Sequence, residues 1–273
     1  MGLSKLLVAA FPVFLLAGLR FAIAAVLMLG WLRRPSDEPP LNTRSRWLLF
    51  FESFLGNFLF SICMLFGLKQ SSALVAGVIM AGIPAAVALL SWLVLKEALS
   101  GRVLAGIACA VGGIGWVALG QQGGQETSPL GALLLLAAVI CEACYVVIGK
   151  QLTASLAPKR ISALVNLWGL VLVAPLALWQ ASRFDFSAPT GLDWGLLGYY
   201  AAMASTVTVW LWMSGLRQVP AGQAGVFMVF LPIATGLVGL ALGEALSTAH
   251  LLAYGLALLG VVLATWPAGQ TPR

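Results

Sequence analysis

The sequence predicts an all-α polytopic membrane protein, made of two inverted-topology repeats of about five transmembrane helices each, with nine visible. Three observations carry this fold class. Hydrophobic residues make up 61% of the chain and charged residues 9%, with a mean hydropathy of +1.00. An ordinary soluble domain carries roughly 25% charged residues, so this chain has too few polar groups to coat a globule in water. Lipid is its expected solvent. Nine apolar runs are long enough to cross ~30 Å of hydrocarbon. Finally, "GLKQSSALVAGVIMAGIP" from Gly67 recurs as "GLRQVPAGQAGVFMVFLP" from Gly215, identical at nine of 18 positions.

The runs cover residues 11–32, 47–68, 72–95, 103–119, 129–148, 161–179, 194–215, 221–242 and 249–266. The first follows Lys5, as the core of a signal peptide would. Arg20 interrupts it, no small-residue cleavage site follows, and the hydrophobicity continues to Leu32, so it is read as a span. All nine are continuous, whereas the strands of a membrane barrel would alternate apolar and polar residues. Only residues 33–46 and 120–128 form substantial loops, which leaves no room for a soluble domain.

Placing loop 33–46 in the cytoplasm puts Arg33, Arg34, Arg44, Arg46, Lys96, Arg102, Lys150, Lys159, Arg160, Arg217 and Arg273 on that side, 11 of the 15 basic residues. Lys5, Lys69 and Arg183 fall outside, and Arg20 lies within a span. The positive-inside rule therefore predicts a cytoplasmic C-terminus in a plasma (inner) membrane. The pI near 9.5 reflects these loops. No basic stripe with interleaved aromatics suggests nucleic acid.

The repeat extends past the opening windows. Glu97-Ala98-Leu99-Ser100 recurs as Glu244-Ala245-Leu246-Ser247, and Trp31 falls opposite Trp179. In the topology above, the first of these turns is cytoplasmic and the second external. Lys96 and Arg102 accordingly align with the uncharged Gly243 and Ala249. One supersecondary unit inserted twice in opposite senses is the inverted-repeat design of secondary transporters. The halves are residues 1–120 and 126–269. Inversion requires an odd number of spans per repeat, so ten are expected. The partner of run 129–148 would precede Met1, which predicts an in-frame coding segment of about 20 apolar residues upstream.

"LAGLRFAIAAVLML", the helices of Pro84 and Pro232, and the twin "EALS" turns before Gly-rich spans resemble the drug/metabolite transporter superfamily, specifically its EamA-type members. The resemblance covers nearly the whole chain. It implies ten helices with both termini cytoplasmic, and export of amino acids or other small metabolites. The chain departs from that pattern in lacking the first helix.

Candidate substrate-binding or proton-coupling residues are those whose chemistry is costly in lipid. A charge at mid-bilayer costs at least ~2.5–3.5 kcal/mol, so Arg20, Glu52 and Glu142 should face a cavity or a partner. Arg20 is expected near the midplane, paired with a carboxylate or substrate. Glu52 is expected about 8 Å from the cytoplasmic end of its helix, lining a cavity or reaching interfacial water. Glu142 could relay protons or bind a substrate amine, with Tyr145 on the same helix face. Asn57, Ser61, Asn166, Ser205, Thr206 and Thr208 add hydrogen-bonding capacity, most of it as interhelical contacts. Trp168, like Tyr145, lies deep enough to meet a substrate, whereas Tyr199, Tyr200, Trp210 and Trp212 suit membrane-interface belts. Pro84 and Pro232, each near the middle of its run, are helix-break or hinge positions.

Cys141 and Cys144 form a CxxC within a membrane helix and are read as apolar filler, not as a metal or redox site. His250 stands alone, and no phosphate-binding loop follows a strand. No cofactor, metal or enzymatic activity is expected. Two intramembrane acids against one arginine suit an amine-bearing substrate better than a phosphate. The expected partners are a small-molecule substrate and the bilayer. The alternatives are a truncated or non-transporting membrane component, or a carrier for sugars or sugar-phosphates.

Overall fold

The protein is described here by a computed structural model that covers residues 7–8, 10–36, 38–71, 76, 79–120, 128–230, 234 and 248–265. These residues form nine helical elements and no strand. α1 (Val13–Leu27) ends in a 3-10 turn, Leu29–Leu32, and α2 covers Thr43–Lys69. α3 (Ile83–Leu90) runs on as a π-helix, Ser91–Leu95, and α4 is Gly101–Gly120. α5 (Pro129–Thr153), α6 (Pro158–Ala181) and α7 (Gly191–Gln218) are the longest of the second half. α8 (Ala221–Val226) passes into a 3-10 turn, Phe227–Val229, and α9 is Thr248–Thr265. Each of the nine expected runs thus contains helix.

Local chemistry sets where the helices begin. Asn42 caps α2, its side chain accepting from Ser45 N at 2.7 Å. Thr190 and Asp193 form a reciprocal capping box at α7. Pro158 occupies the first turn of α6, where its missing N–H has no intrahelical partner to lose. The π segment of α3 stops at Lys96, whose left-handed backbone (φ 55°) turns the chain. α2, α5, α6 and α7 are each long and apolar enough to cross a bilayer. Leu133, Leu136 and Ile140 of α5 recur at helical spacing and are 50–63% exposed, an outward apolar stripe suited to lipid.

The chain divides into two compact units, and each takes residues from both sequence repeats. One comprises Met1–Leu59 and Ile148–Gln218, the other Phe60–Val147 and Val219–Arg273. In the first, α6 is the central helix, in contact with α1, α2 and α7. α1 approaches it so closely that a Cβ on Gly18 would lie 2.5 Å from the Ala177 Cβ. Any larger residue at position 18 would push the two helices apart.

Polar contacts gather the basic segments at one end of this unit. Arg44 Nη2 donates to Gln151 Oε1 at 3.1 Å, Arg160 pairs with Glu38, and Lys150 Nζ donates to Leu216 O at 2.9 Å. α5 therefore continues past residue 148, the expected end of its run, to Thr153. At the other end Phe11 packs on Phe184 and Trp194, and Gln180 Oε1 accepts from Leu15 N at 2.9 Å.

In the second unit α4 lies along α9, and α3 packs on α8. Val87 of α3 fills the space over Gly225, and Ala88, Val103, Ile107, Val226 and Val261 form a buried apolar cluster. Glu97, in the first "EALS" turn, accepts from Ala221 N at 3.0 Å and Gly222 N at 3.1 Å. Its carboxylate thus satisfies two of the N–H groups that the start of α8 leaves without intrahelical partners.

Candidate functional site

α2 and α7 are equivalent helices of the repeat, and both depart from α geometry at the same place. α2 is a π-helix over Phe54–Leu59 and α7 over Ala201–Val207, which coincide to within one residue at the repeat offset of 148. A π segment lengthens the i→i−4 bonding by one residue, so carbonyls on that turn turn away from their usual donors. Inside a membrane this is tolerated where other groups re-satisfy them or where the segment lines a cavity.

On α7 one such carbonyl is re-satisfied from α6, and at α2 it is α6 that accepts. Asn166 Nδ2 donates to Ser162 O at 2.9 Å and to Ser205 O, within the α7 π segment, at 3.0 Å. On the neighbouring residue, Val165 O accepts from Ser53 Oγ at 2.9 Å, at the edge of the α2 π segment. Asn57 Nδ2 in turn donates to Ser53 Oγ at 3.3 Å. Two consecutive residues of α6 therefore tie into both irregular helices.

At this junction Asn166 Oδ1, Ser205 Oγ and Thr206 Oγ1 are buried with no hydrogen-bond partner among the described residues. Asn166, Ser205 and Thr206 are 2%, 1% and 8% exposed. A buried group in this state costs roughly 1–3 kcal/mol unless a ligand or water completes it. All three are among the residues that the sequence suggested for hydrogen bonding.

The first unit holds Arg20, Glu52, Asn57 and Trp168, and the second holds Glu142, Tyr145 and Pro84. The Arg20 guanidinium lies 4.5 Å from the Phe21 ring centroid and 5.8 Å from that of Tyr200. Among the described residues of its unit no carboxylate pairs with it, and aromatic faces stand where a carboxylate was one expectation. Glu52 is fully buried, so it does not reach interfacial water. It sits against α5, where a Cβ on Gly149 would lie 2.8 Å from its Oε1. Trp168 is 36% exposed and packs edge-on against Phe50, their centroids 5.3 Å apart.

Glu142 and Tyr145 are half-buried on one face of α5, between the fully packed Cys141, Ala143 and Val146. Pro84 is not a kink within a continuous helix. The chain turns at Gly82, whose N–H donates to Ile79 O at 3.0 Å, and Pro84 is in the first turn of the restarted helix. The interruption is one turn residue, Gly82, whose own backbone stays in the right-handed helical region (φ −72°, ψ −9°). Pro232, its repeat partner, lies outside the described residues. Two residues whose structural importance the sequence did not reveal are Glu97 and Gly149. The repeat marked Glu97, but only its distant acceptor role explains why a glutamate stands there. Nothing local marks Gly149.

Comparison with known proteins agrees with this architecture. A family profile described as the EamA-like transporter family matches residues 2–119 and again residues 129–266, one match to each half of the repeat. The chain is 36% identical over 263 residues to the uncharacterized transporter YetK of Bacillus subtilis (strain 168), covering 94% of this chain and 80% of that one. It is 25% identical over 256 residues to the uncharacterized transporter YyaM of the same organism, covering 91% and 83%. A solved crystal structure superimposes with a TM-score of 0.77 over 97% of this chain and 91% of its own, at 21% identity. At that identity the likeness is one of fold.

Proposed function

We propose a transport cycle for this chain, which belongs to the EamA-like transporter family and is a multi-pass membrane transporter of the drug/metabolite kind. In this reading it is a secondary transporter that exports amino acids or other small metabolites across the plasma (inner) membrane by alternating access, with its C-terminus in the cytoplasm. The observation that carries the reading is the pair of π segments at equivalent positions of α2 and α7. Irregular backbone repeated at one depth of two related helices is what a transporter of inverted repeats uses at its binding level.

The buried polar atoms of Asn166, Ser205 and Thr206 supply donors and acceptors for a polar substrate on the α6–α7 side. Glu142 supplies a carboxylate that binds a substrate amine or relays a proton, with Tyr145 one turn on. Arg20, backed by aromatic rings, is free to meet a substrate carboxylate. Pro84 marks the point about which its segment reorients, the hinge role that the sequence also suggested for Pro232. Acids outnumber the one intramembrane arginine, which favours amine-bearing substrates over sugar-phosphates.

Transport into inside-out vesicles tests this. Glu142→Gln keeps the shape and removes the charge. It should reach the membrane at wild-type level but lose transport or its pH dependence. Arg20→Gln should separately lower transport if the guanidinium meets a substrate carboxylate. A wild-type rate and pH profile in Glu142→Gln would return this glutamate to a structural role.

A further inference from the structure

The end of the first unit that collects the basic segments also holds a cavity of about 480 Å³. Its walls bring together the 3-10 turn after α1, the start of α6 and the last two turns of α7, through Trp31, Arg33, Lys159, Arg160, Trp210 and Ser214. Lys159 Nζ stands 5.7 Å from the Trp31 ring centroid and 5.5 Å from that of Trp210. The two indoles are tilted at 57° with centroids 5.9 Å apart, so both rings border the ammonium. Glu38 already neutralises Arg160 and accepts from Ala157 N at 3.1 Å. That leaves an excess of positive charge among the described residues around the cavity. Among the described residues neither Arg33 nor Lys159 has a carboxylate partner, and Arg160 Nε is buried with no acceptor.

We propose that this cavity binds the headgroup phosphate of an anionic phospholipid. Three cationic side chains and one carboxylate select an anion. Arg160 lines the cavity with a buried Nε–H that has no acceptor among the described residues, and the start of α6 adds the partly positive end of a helix. A lipid, as opposed to a free anion, is indicated by what lies next to the cavity. Leu27, one turn before Trp31, is 53% exposed, and Leu211, three residues before Ser214 on the same face of α7, is 56% exposed. An acyl chain can follow these apolar side chains toward the bilayer centre while the phosphate stays at the basic end. The tryptophans suit the same depth, since indoles favour the headgroup boundary.

The experiment uses full-length protein in bilayer discs containing equal amounts of phosphatidylglycerol and phosphatidylcholine. Lipids retained on extraction into detergent are counted by native mass spectrometry. Wild type should retain phosphatidylglycerol preferentially. Arg33→Gln and Lys159→Gln should each lower the ratio of the two lipids about fivefold, as expected for loss of one cation at an anionic surface. Arg217→Gln, at the same end of the unit but outside the cavity, should leave the ratio unchanged. Inorganic phosphate, added at constant ionic strength, should not displace the lipid. No preference in wild type would overturn the proposal even if a variant failed to fold. So would an equal loss in Arg217→Gln, which would reduce the effect to overall charge. Abolition of the preference by inorganic phosphate would assign the cavity to a free anion and overturn the lipid assignment.

Discussion

Asn166 reaches from the middle of α6 to the carbonyl of Ser205, 3.0 Å away inside the π segment of α7. The residue before it, Val165, accepts from Ser53 at the edge of the π segment of α2. One helix thus holds the irregular turns of both repeats, so a change at this point should be felt in stability and in transport together. Asn166→Leu keeps the branched shape and removes the donor, leaving the Ser205 carbonyl buried without it. The expected loss is about 1–3 kcal/mol, read as a lower melting temperature in detergent together with a reduced transport rate. Asn166→Asp sets an acceptor against two carbonyls and should be worse than the leucine.

Gly149 and Glu52 should behave as a coupled pair. A Cβ at position 149 would meet Glu52 Oε1 at 2.8 Å and Leu216 Cδ2 at 3.0 Å, and Glu52 is fully buried. Gly149→Val should therefore destabilise by about 1–3 kcal/mol. In a Glu52→Ala background much of that penalty should vanish, because the truncated side chain leaves room. Melting temperatures of the four proteins give the coupling. Strict additivity would show that the glutamate yields at no cost.

The Glu97 carboxylate accepts two N–H groups at the start of α8. Glu97→Gln retains a single acceptor oxygen and should cost less than Glu97→Ala, which should cost on the order of 1 kcal/mol. Hydrogen exchange at Ala221 and Gly222 is the sharper measurement. Both amides should exchange faster in the alanine variant, while those in α6 stay unchanged.

Orientation is tested by cysteine labelling. In a background lacking Cys63, Cys109, Cys141 and Cys144, a cysteine replacing Ser247 should react with an impermeant thiol reagent in intact cells. One replacing Ser100 should react only after lysis. Labelling of both sites in intact cells would exclude opposite orientations of the two repeats.

Membrane residence, the nine apolar runs and the twofold repeat are written in the sequence because they depend on composition and spacing along the chain. A run of some twenty apolar residues must be helical in lipid whatever packs beside it. The helix starts after Asn42 and Thr190 and at Pro158 also rest on local chemistry, although the apolar runs themselves begin three to four residues later. Tertiary structure decided what no local pattern contains. It placed Asn166 on a carbonyl 39 residues away and Ser53 on one 112 residues away, and it turned Arg20 toward aromatic rings. It enclosed Glu52 where the sequence allowed contact with water, because Gly149 lets that carboxylate in. It also built each compact unit from pieces of both repeats. The physical reason is common to all of these. A polar group in lipid must find its partner within the protein, and the helix that supplies it is chosen by packing in space, not by neighbourhood in sequence.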